Sequence, residues 1–229
     1  MTTANDPLAN LIAVNVQNNY IPSLSETDGQ ANVSNLRVVT PVWRFIPRVT
    51  LPVQSLMTPT KSVSGFGDLN VFGTFVLTPD DAKVAIAAGP MYTAPTATND
   101  LLGTGKHQLG VSAAAIRTAG PLMIGTLVLW QASVAGASDR SNTNNMAIQT
   151  FLFVQAGNGV YLRSAPIATL DFKQKKYAVP LGIGIGKVVA VGNTVFNFFI
   201  EPQYSVYHHG AGVPIFQLFS AINLQFKTK

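Results

Sequence analysis

The sequence contains no cysteine, which excludes a disulfide framework, a thiolate metal site and a cysteine nucleophile. It is also poor in charge: Asp, Glu, Lys and Arg make up 11% of its 229 residues, whereas roughly 25% is usual for a soluble domain. With 47% hydrophobic residues, the chain has too few charges to cover a surface that faces water. Yet it lacks an apolar run long enough to be a membrane-spanning helix.

Apolar residues instead alternate with polar or small ones. Near the carboxyl terminus, Phe216, Leu218 and Leu224 share one parity, and Gln217 and Gln225 take the other. Alternation with a period of two places the two sets on opposite faces of a β-strand. In a chain with so little charge, this pattern predicts an all-β fold, a closed antiparallel up-and-down transmembrane β-barrel. Closure is expected because a free strand edge would leave polar groups unpaired in lipid.

Turn signals divide the chain into about twelve such segments, each near the ~9–11 residues that a tilted membrane strand needs. The predicted strands are 9–22, 32–44, 46–57, 66–78, 83–96, 106–118, 121–135, 146–156, 159–172, 176–189, 194–208 and 213–226. Longer polar loops alternate with tight turns, as in outer-membrane barrels. We therefore expect one domain over 1–229, with 1–8 irregular or periplasmic and both termini at the short-turn, periplasmic end.

Six prolines fall inside these predicted strands. Proline has no N–H to donate to a β-ladder, and a closed barrel offers no free edge where this would be harmless. We therefore expect local bulges or kinks at Pro41, Pro52, Pro90, Pro166, Pro180 and Pro202.

The fold predicts a location in the bacterial outer membrane, with lipopolysaccharide or phospholipid as partners. Residues 1–10 lack a basic segment followed by an apolar one, so we expect that a signal peptide has been removed. The net charge of +5 is scattered along the chain and is not interleaved with aromatic residues. This distribution is not that of a nucleic-acid-binding protein.

The candidate site is a set of polar side chains predicted to face the lumen. Buried charges need partners, so two interpretations stay open: an ion-pair network that plugs the lumen, or a polar constriction along a substrate path. If every charged member points inward, basic residues outnumber acidic ones and the lumen is mildly positive. The predicted lumen and constriction residues are Arg37, Arg48, Asp68, Arg163, Asp171, Lys187, Glu201 and Gln203.

Two weaker motifs favour structural interpretations. The run 182–187 (GIGIGK) resembles a phosphate-binding loop only superficially, because that pattern needs glycine where Leu181 stands. We interpret its glycines as small lumen-side residues that pack against bulky neighbours. His107, His208 and His209 lack the spacing and carboxylate support of a metal site. We therefore expect no cofactor, no metal and no catalytic residues, and a lipid-modifying barrel enzyme is the least favoured function.

Six stretches, spread over nearly the whole chain, carry a family resemblance: 17–24 (QNNYIPSL), 65–72 (GFGDLNVF), 94–110 (APTATNDLLGTGKHQLG), 164–172 (SAPIATLDF), 177–188 (YAVPLGIGIGKV) and 201–207 (EPQYSVY). In this order they are similar to the MetA-pathway of phenol degradation family. The resemblance implies an outer-membrane barrel of the broad class that includes long-chain fatty-acid channels. The family name implies import of hydrophobic compounds. Such chains usually end near an apolar or aromatic residue, but here Phe226 precedes Lys227, Thr228 and Lys229, so this assembly signal is displaced or the tail is an addition.

The leading functional prediction is binding or passive transport of small hydrophobic compounds by a non-enzymatic barrel. The alternative is a structural or scaffold protein with a plugged lumen, which anchors a larger assembly through protein partners. An apolar lumen pocket or a lateral gap favours transport, whereas a fully plugged lumen with a protein-facing patch favours the scaffold. A constellation of Ser, His and Asp or Asn on the lipid-facing side of one rim would favour an enzyme.

Overall fold

The alternating sequence folds into extended segments throughout the computed structural model, which describes residues 2–227. One turn of 3-10 helix, Thr2–Asn5, precedes them. Within the described range, no helix is long and apolar enough to cross a membrane. The segments are β1 Leu11–Leu24, β2 Gln30–Val39, β3 Phe45–Met57, β4 Ser62–Phe66, β5 Leu69–Val76, β6 Ala85–Ala94, β7 Lys106–Ala119, β8 Leu122–Gly136, β9 Asn144–Gly157, β10 Val160–Ser164, β11 Ile167–Asp171, β12 Lys176–Gly182, β13 Gly184–Val191, β14 Thr194–His209 and β15 Pro214–Lys227.

All pairings in the sheet are antiparallel, and the sheet closes on itself. β1 pairs with both β2 and β15, and β15 pairs with β14, so the first and last segments complete the ring. Three barrel strands are each split into two segments: β4 with β5, β10 with β11, and β12 with β13. The fifteen segments therefore make twelve barrel strands, and the predicted all-β, twelve-stranded closed barrel is confirmed.

The sequence prediction missed these breaks: it placed one continuous strand over β10 and β11 and another over β12 and β13, and it placed most of β4 in a loop. β4 begins at Ser62, inside the predicted loop before 66–78, because the turn occupies only 58–61 and is closed by a bond from Thr58 N to Lys61 O of 2.8 Å. The predicted strand 32–44 is also too long. It ends at Val39, and the following turn contains Trp43 with a φ of 54°.

The prolines account for much of this irregularity. Pro166 lies in the break between β10 and β11, and Pro180 lies at a register shift between β12 and β14. Pro202, on β14, keeps its ladder pairing with Leu218 of β15. On the opposite edge of β14, it faces the break at Ile183 between β12 and β13. The missing N–H groups thus fall where a ladder is already interrupted. The predicted irregularities are confirmed at Pro166 and Pro180, whereas Pro41 lies outside the strands.

The two strand faces differ sharply in exposure. On β14, Phe198 and Ile200 project outward and are exposed, while the alternate residues Asn197, Glu201 and Gln203 are buried. We call the ring of outward-facing apolar side chains the apolar belt. Its other exposed members include Val14, Val16, Leu36, Val38, Val49, Ile86, Leu109, Val111, Ile124, Leu152, Leu162, Leu181, Ile183, Ile185 and Ile222.

The two ends of the barrel are built differently. At the terminal rim, where β1 begins and β15 ends, 120–121, 158–159 and 192–193 are two-residue turns. The opposite end, which we call the distal rim, carries the longest connection, loop 95–105, and the loop 137–143.

Loop 95–105 folds against the inner wall rather than projecting outward. Gln54, which lies on the inward parity of β3, donates from Nε2 to Leu102 O at 3.3 Å, and Leu102 is buried. Gly65 pairs with Gln54 in the ladder. A Cβ atom at Gly65 would lie 2.1 Å from Thr98 Oγ1. The loop therefore covers part of the distal mouth, and we call it the distal cap.

Below the distal cap, hydrogen-bonded polar side chains line the inner wall along β5 to β8. Asn70 Nδ2 donates to Thr93 Oγ1 at 2.8 Å, and Thr93 Oγ1 donates to Gln131 Oε1 at 2.7 Å. Nearby, Thr143 Oγ1 donates to Gln108 Oε1 at 2.9 Å. These hydrogen bonds satisfy polar side chains on the distal part of the inner wall.

The glycines of 182–187 make room for bulky inward-facing neighbours. Tyr161 is fully buried over Gly186, where a Cβ atom would lie 2.1 Å from its ring, and its hydroxyl donates to Asn197 Oδ1 at 2.6 Å. The interpretation of these glycines as small lumen-side packing residues is confirmed.

Replacing Gly186 by valine should destabilise the barrel by roughly 1–3 kcal/mol, because the new side chain overlaps the Tyr161 ring. The measurement is the urea midpoint of unfolding in detergent micelles, followed by the heat-sensitive gel mobility of folded barrels. Ala190→Val, near the exposed end of the same segment, is the matched control, and we expect it to leave the midpoint unchanged. Equal midpoints for Gly186→Val and wild type would contradict the packing described here.

Candidate functional site in the barrel lumen

The terminal half of the lumen contains a cavity of about 220 Å³. Inward-facing side chains from most of the strands reach it because every second residue of a barrel strand points inward. Its wall is mixed. Apolar lining comes from Phe72, Leu127, Leu129, Phe151, Phe153, Phe199 and Phe219, and polar lining from Asn15, Gln17, Arg37, Arg48, Gln149, Arg163, Asn197, Asn223 and Gln225.

Residues 4–9 lie across the terminal rim, and most of them line the cavity. Ala4 O accepts hydrogen bonds from Asn197 Nδ2 at 3.1 Å and from Gln225 Nε2 at 2.8 Å. Pro7 O accepts from the Arg48 guanidinium. The segment, which we call the terminal cap, is thus held by three strands. Sequence reasoning treated 1–8 as irregular and gave it no place inside the barrel.

The terminal cap also brings a carboxylate to the cavity. Asp6 Oδ1 accepts a hydrogen bond from Leu8 N at 2.8 Å. Burial raises the pKa of the Asp6 carboxyl, while the Leu8 hydrogen bond and the positive charge of Arg48 oppose part of this rise. The carboxylate therefore serves first as a turn acceptor within its own segment.

The best-defined polar contact of the lumen joins two of the predicted residues. Arg163 Nε and Glu201 Oε2 lie 2.6 Å apart, with exposed side-chain fractions of 5% and 0%. The Arg163 guanidinium lies 3.3 Å from the ring centroid of Phe199, with the Phe153 and Phe219 rings within about 5.5 Å. The pair is fully desolvated, and stacking on aromatic rings suits the planar guanidinium.

Glu201 also seals a gap in the wall. β10 pairs with β13 through 160–163, and β11 pairs with β12 through 169–171, so the ladder is interrupted between them. Glu201 Oε1 accepts a hydrogen bond from Ala165 N, inside this gap, at 2.9 Å. Gly184 leaves room for the crossing, since a Cβ atom there would lie 2.7 Å from Glu201 Cβ.

Gln203, the next predicted residue along β14, extends this network. It is buried, and its Nε2 donates to Glu201 Oε1 at 2.9 Å, while its Oε1 accepts from Gln217 Nε2. The carboxylate of Glu201 thus receives hydrogen bonds from Arg163, Ala165 and Gln203, which compensates its burial.

Arg37 and Arg48 lie at the cavity without a carboxylate partner. Arg37 Nε donates to Thr50 Oγ1 at 3.1 Å, and Arg48 donates to Pro7 O and lies 5.3 Å from the Phe72 ring centroid. Within residues 2–227, ion pairs join Arg44 to Asp80, Arg140 to Asp100, and Arg163 to Glu201. The two arginines therefore leave a local excess of positive charge.

Three of the predicted residues, Lys187, Asp68 and Asp171, do not line this cavity, and for Lys187 the inward assignment is wrong. Lys187 is exposed on the outer face, pairs across the ladder with the outward-facing Phe198, and donates from Nζ to Asn158 O at 2.6 Å. The reason is parity: Lys187 shares the odd parity of the outward Ile183 and Ile185.

Asp68 and Asp171 serve loops rather than a constriction. Asp68 accepts hydrogen bonds from Thr104 N at 2.7 Å and Ala97 N at 3.1 Å, and so anchors the distal cap. Asp171 Oδ1 accepts from Lys173 N at 2.9 Å and from Gln174 N, and caps the turn after β11. Short acidic side chains often satisfy turn backbone in this way, and strand parity does not detect it.

The histidines lie apart from this cavity. Tyr92 Oη and His107 Nδ1 are 2.7 Å apart, His209 stacks on Tyr177, and His208 lies nearest Ser205 O. In the part of the chain that the structure describes, no three or more His, Asp or Glu side chains converge as a metal site would require.

No protein-family model matches the chain, and no curated protein matches it in sequence. Among solved structures, the chain is similar to an outer membrane channel from Pseudomonas putida F1, with a TM-score of 0.70, 15% identity and coverage of 94% of each chain. It is also similar to the NanC porin, with a TM-score of 0.61, 12% identity, and coverage of 94% of this chain and 100% of the porin. At these identities the likeness concerns the barrel fold.

Glu201→Gln should lower the free energy of unfolding by roughly 3–5 kcal/mol, because it leaves the buried Arg163 charge without a carboxylate. The measurement is urea unfolding in micelles. Asp80→Asn is the matched control, since the Arg44–Asp80 pair is at the exposed rim, and we expect no measurable change there. Adding Arg163→Met to Glu201→Gln should recover part of the loss. A Glu201→Gln protein as stable as wild type would contradict the role of this carboxylate.

Proposed function

We propose that the protein is an outer-membrane barrel that binds small, largely apolar molecules in its lumen and passes them across the membrane. The observation that carries this proposal is the capped cavity with its aromatic and aliphatic wall. Ligand pockets are typically apolar with a few placed polar groups, and this cavity has that composition.

The membrane location is supported by the apolar belt. Leu181 and Ile183 expose 62% and 70% of their surface, and comparable side chains surround the barrel. Exposed apolar surface on this scale is not stable in water, whereas a closed barrel satisfies its backbone within the wall and tolerates lipid outside. Lipopolysaccharide or phospholipid would be the partners of this surface, and we place the terminal rim in the periplasm.

The transport assignment is supported by fold likeness to an outer membrane channel and to a porin, and by the resemblance to the MetA-pathway of phenol degradation family. The preference for hydrophobic compounds rests on the cavity wall and on that resemblance. We propose no catalytic activity, because the serines and histidines of the rims form no arrangement with a paired base and nucleophile in the described residues.

A scaffold function is the second candidate, and the terminal cap is the observation that favours it. Hydrogen bonds from Asn197 and Gln225 hold the cap inside the mouth, and the ion pair behind it fills part of the lumen. If the cap never leaves, the barrel is a plugged anchor for protein partners rather than a passage.

The membrane location is tested by labelling single cysteines in intact outer membranes. A cysteine at Ile200 should react with a membrane-soluble maleimide and remain unreactive toward a charged, water-soluble one, because that side chain faces lipid. Ala211→Cys, in the exposed distal turn, is the control and should react with both. Water-soluble labelling at position 200 would contradict the proposed location.

Transport is tested by removing the terminal cap. Planar bilayers containing the wild-type protein should show low ion conductance, and deletion of 2–9 should raise it several-fold because the cap occupies the mouth. The double variant Asn197→Leu, Gln225→Leu, which keeps the cap but removes the donors to Ala4, should give an intermediate value.

Uptake of labelled benzamide by porin-deficient bacterial cells that express the chain gives the second measurement. We expect uptake above that of cells without the protein, and a further increase on deletion of 2–9. No uptake with either form, together with unchanged conductance, would contradict transport and support the scaffold.

A further inference from the structure

Arg37 and Arg48 are arranged as a pair. The ladder places Arg37 opposite Thr50 and Arg48 opposite Val39, so the two arginines are diagonal neighbours on one face, with Cα atoms about 7–8 Å apart. Both side chains line the same cavity. Two guanidinium groups at this spacing can both donate N–H hydrogen bonds to one acceptor group that lies between them.

The protein supplies little to satisfy these groups. In the described residues, Arg37 has its contact to Thr50 Oγ1 and Arg48 has its contact to Pro7 O, while Arg48 Nε is buried without a partner. The Asp6 carboxylate interacts electrostatically with Arg48, but its Oδ1 accepts from Leu8 N and it forms no ion pair with either arginine.

Arg163 provides an internal comparison within the same cavity. Its charge is met by Glu201 at 2.6 Å, so this barrel does neutralise a buried arginine where the role is structural. Two adjacent like charges without such a partner are unfavourable unless an anion binds between them. The missing partner is therefore expected to come from outside the chain.

The surroundings specify more than an anion. Phe72 is the ladder partner of Arg48, and Phe72 and Leu127 belong to one buried apolar cluster that lines the cavity. Apolar surface thus begins directly beside the guanidinium groups. The cavity of about 220 Å³ is smaller than the roughly 300–1,000 Å³ of pockets for drug-sized ligands, which limits an occupant to about one ring.

Unpartnered acceptors complete the lining. The buried amide oxygens of Asn15, Asn223 and Gln225 accept no hydrogen bond from the described residues. They face the cavity, where they can accept hydrogen bonds from water or from a hydroxyl group of a ligand. They would repel a second carboxylate. The lining therefore favours a single negative charge at the arginine end.

We propose that Arg37, Arg48 and the adjoining Phe72–Leu127 wall form a binding site for a small apolar monocarboxylate, a proposal that rests on the proposed function because it names the class of molecule bound in the lumen. The carboxylate lies between the two guanidinium groups, and the apolar body lies against Phe72 and Leu127. Arg37 and Arg48 thereby select anionic over neutral molecules of the same shape.

The experiment is calorimetric titration of the full-length protein in micelles with benzoate and with benzamide, which has the same ring and no charge. We expect benzoate to bind at least tenfold more tightly than benzamide. Arg37→Gln and Arg48→Gln should each weaken benzoate binding at least tenfold and leave benzamide binding unchanged. Arg44→Gln, at the terminal rim and outside the cavity, is the matched control and should bind benzoate as wild type does.

Three results would overturn the proposal: equal binding of benzoate and benzamide, unchanged benzoate binding in both glutamine variants, or displacement of benzoate by chloride at equal concentration. Folding of each variant is checked by heat-sensitive gel mobility. If the glutamine variants do not fold, Arg37→Lys and Arg48→Lys carry the test. They keep the charge but lose the planar fork, so each should bind benzoate more weakly than wild type, and unchanged affinity would overturn the site.

The uptake measurement separates this proposal from the proposed function. Benzamide uptake without benzoate binding would refute the carboxylate site and leave transport intact. Benzoate binding with no uptake of either compound would refute transport and leave the site intact.

Discussion

The hydrogen bond from Ala165 N to the Glu201 carboxylate is the contact on which the rest of the lumen depends. A barrel has to pair its backbone groups within its own wall, and here the wall between β10/β11 and β12/β13 is interrupted around Pro166 and Ile183. A side chain from the next strand closes the interruption from inside. This fixes the place of Glu201, requires glycine at positions 182 and 184, and brings Arg163 to the same point. The aromatic residues around Arg163 then fill the space beside the sealed gap.

Two kinds of buried charge therefore coexist in one lumen. The Arg163–Glu201 pair is saturated by hydrogen bonds and aromatic contacts, and it belongs to the architecture of the wall. Arg37 and Arg48 lie on the opposite side of the cavity, on two strands joined to each other by an uninterrupted ladder, so that ladder does not need their charges. Because the charges of Arg37 and Arg48 are not needed to hold the wall together, a ligand in the cavity explains them better than a structural role does. The distinction comes from the partners of each residue, because burial alone is similar for Arg48 and Arg163.

Strand periodicity predicted much of the fold and part of the site. It gave the all-β barrel, the count of twelve strands and the inward positions of Arg37, Arg48, Glu201 and Gln203, because these features depend only on alternation along a strand. It could not place Asp68 or Asp171, whose partners are turn backbone, and Lys187 was assigned against its own parity. The terminal and distal caps were missed because they follow from contacts between distant parts of the chain. One sequence feature did indicate that a segment fills the terminal mouth: the first and last strands carry polar residues at inward positions, namely Asn15, Asn223 and Gln225.

The presence of two separate caps has a kinetic consequence. The terminal cap is held by side chains of β3, β14 and β15, and the distal cap by Asp68, Arg140 and Gln54, so the two share no anchoring residue. A solute that crosses such a barrel passes two barriers in series, the distal cap and the terminal cap. The cavity lies between them, beside the terminal cap. Its rate of passage is then limited by the higher barrier, whereas its residence time in the cavity is limited by the lower barrier to leaving. The capacity to retain a molecule and the capacity to conduct it can therefore change independently.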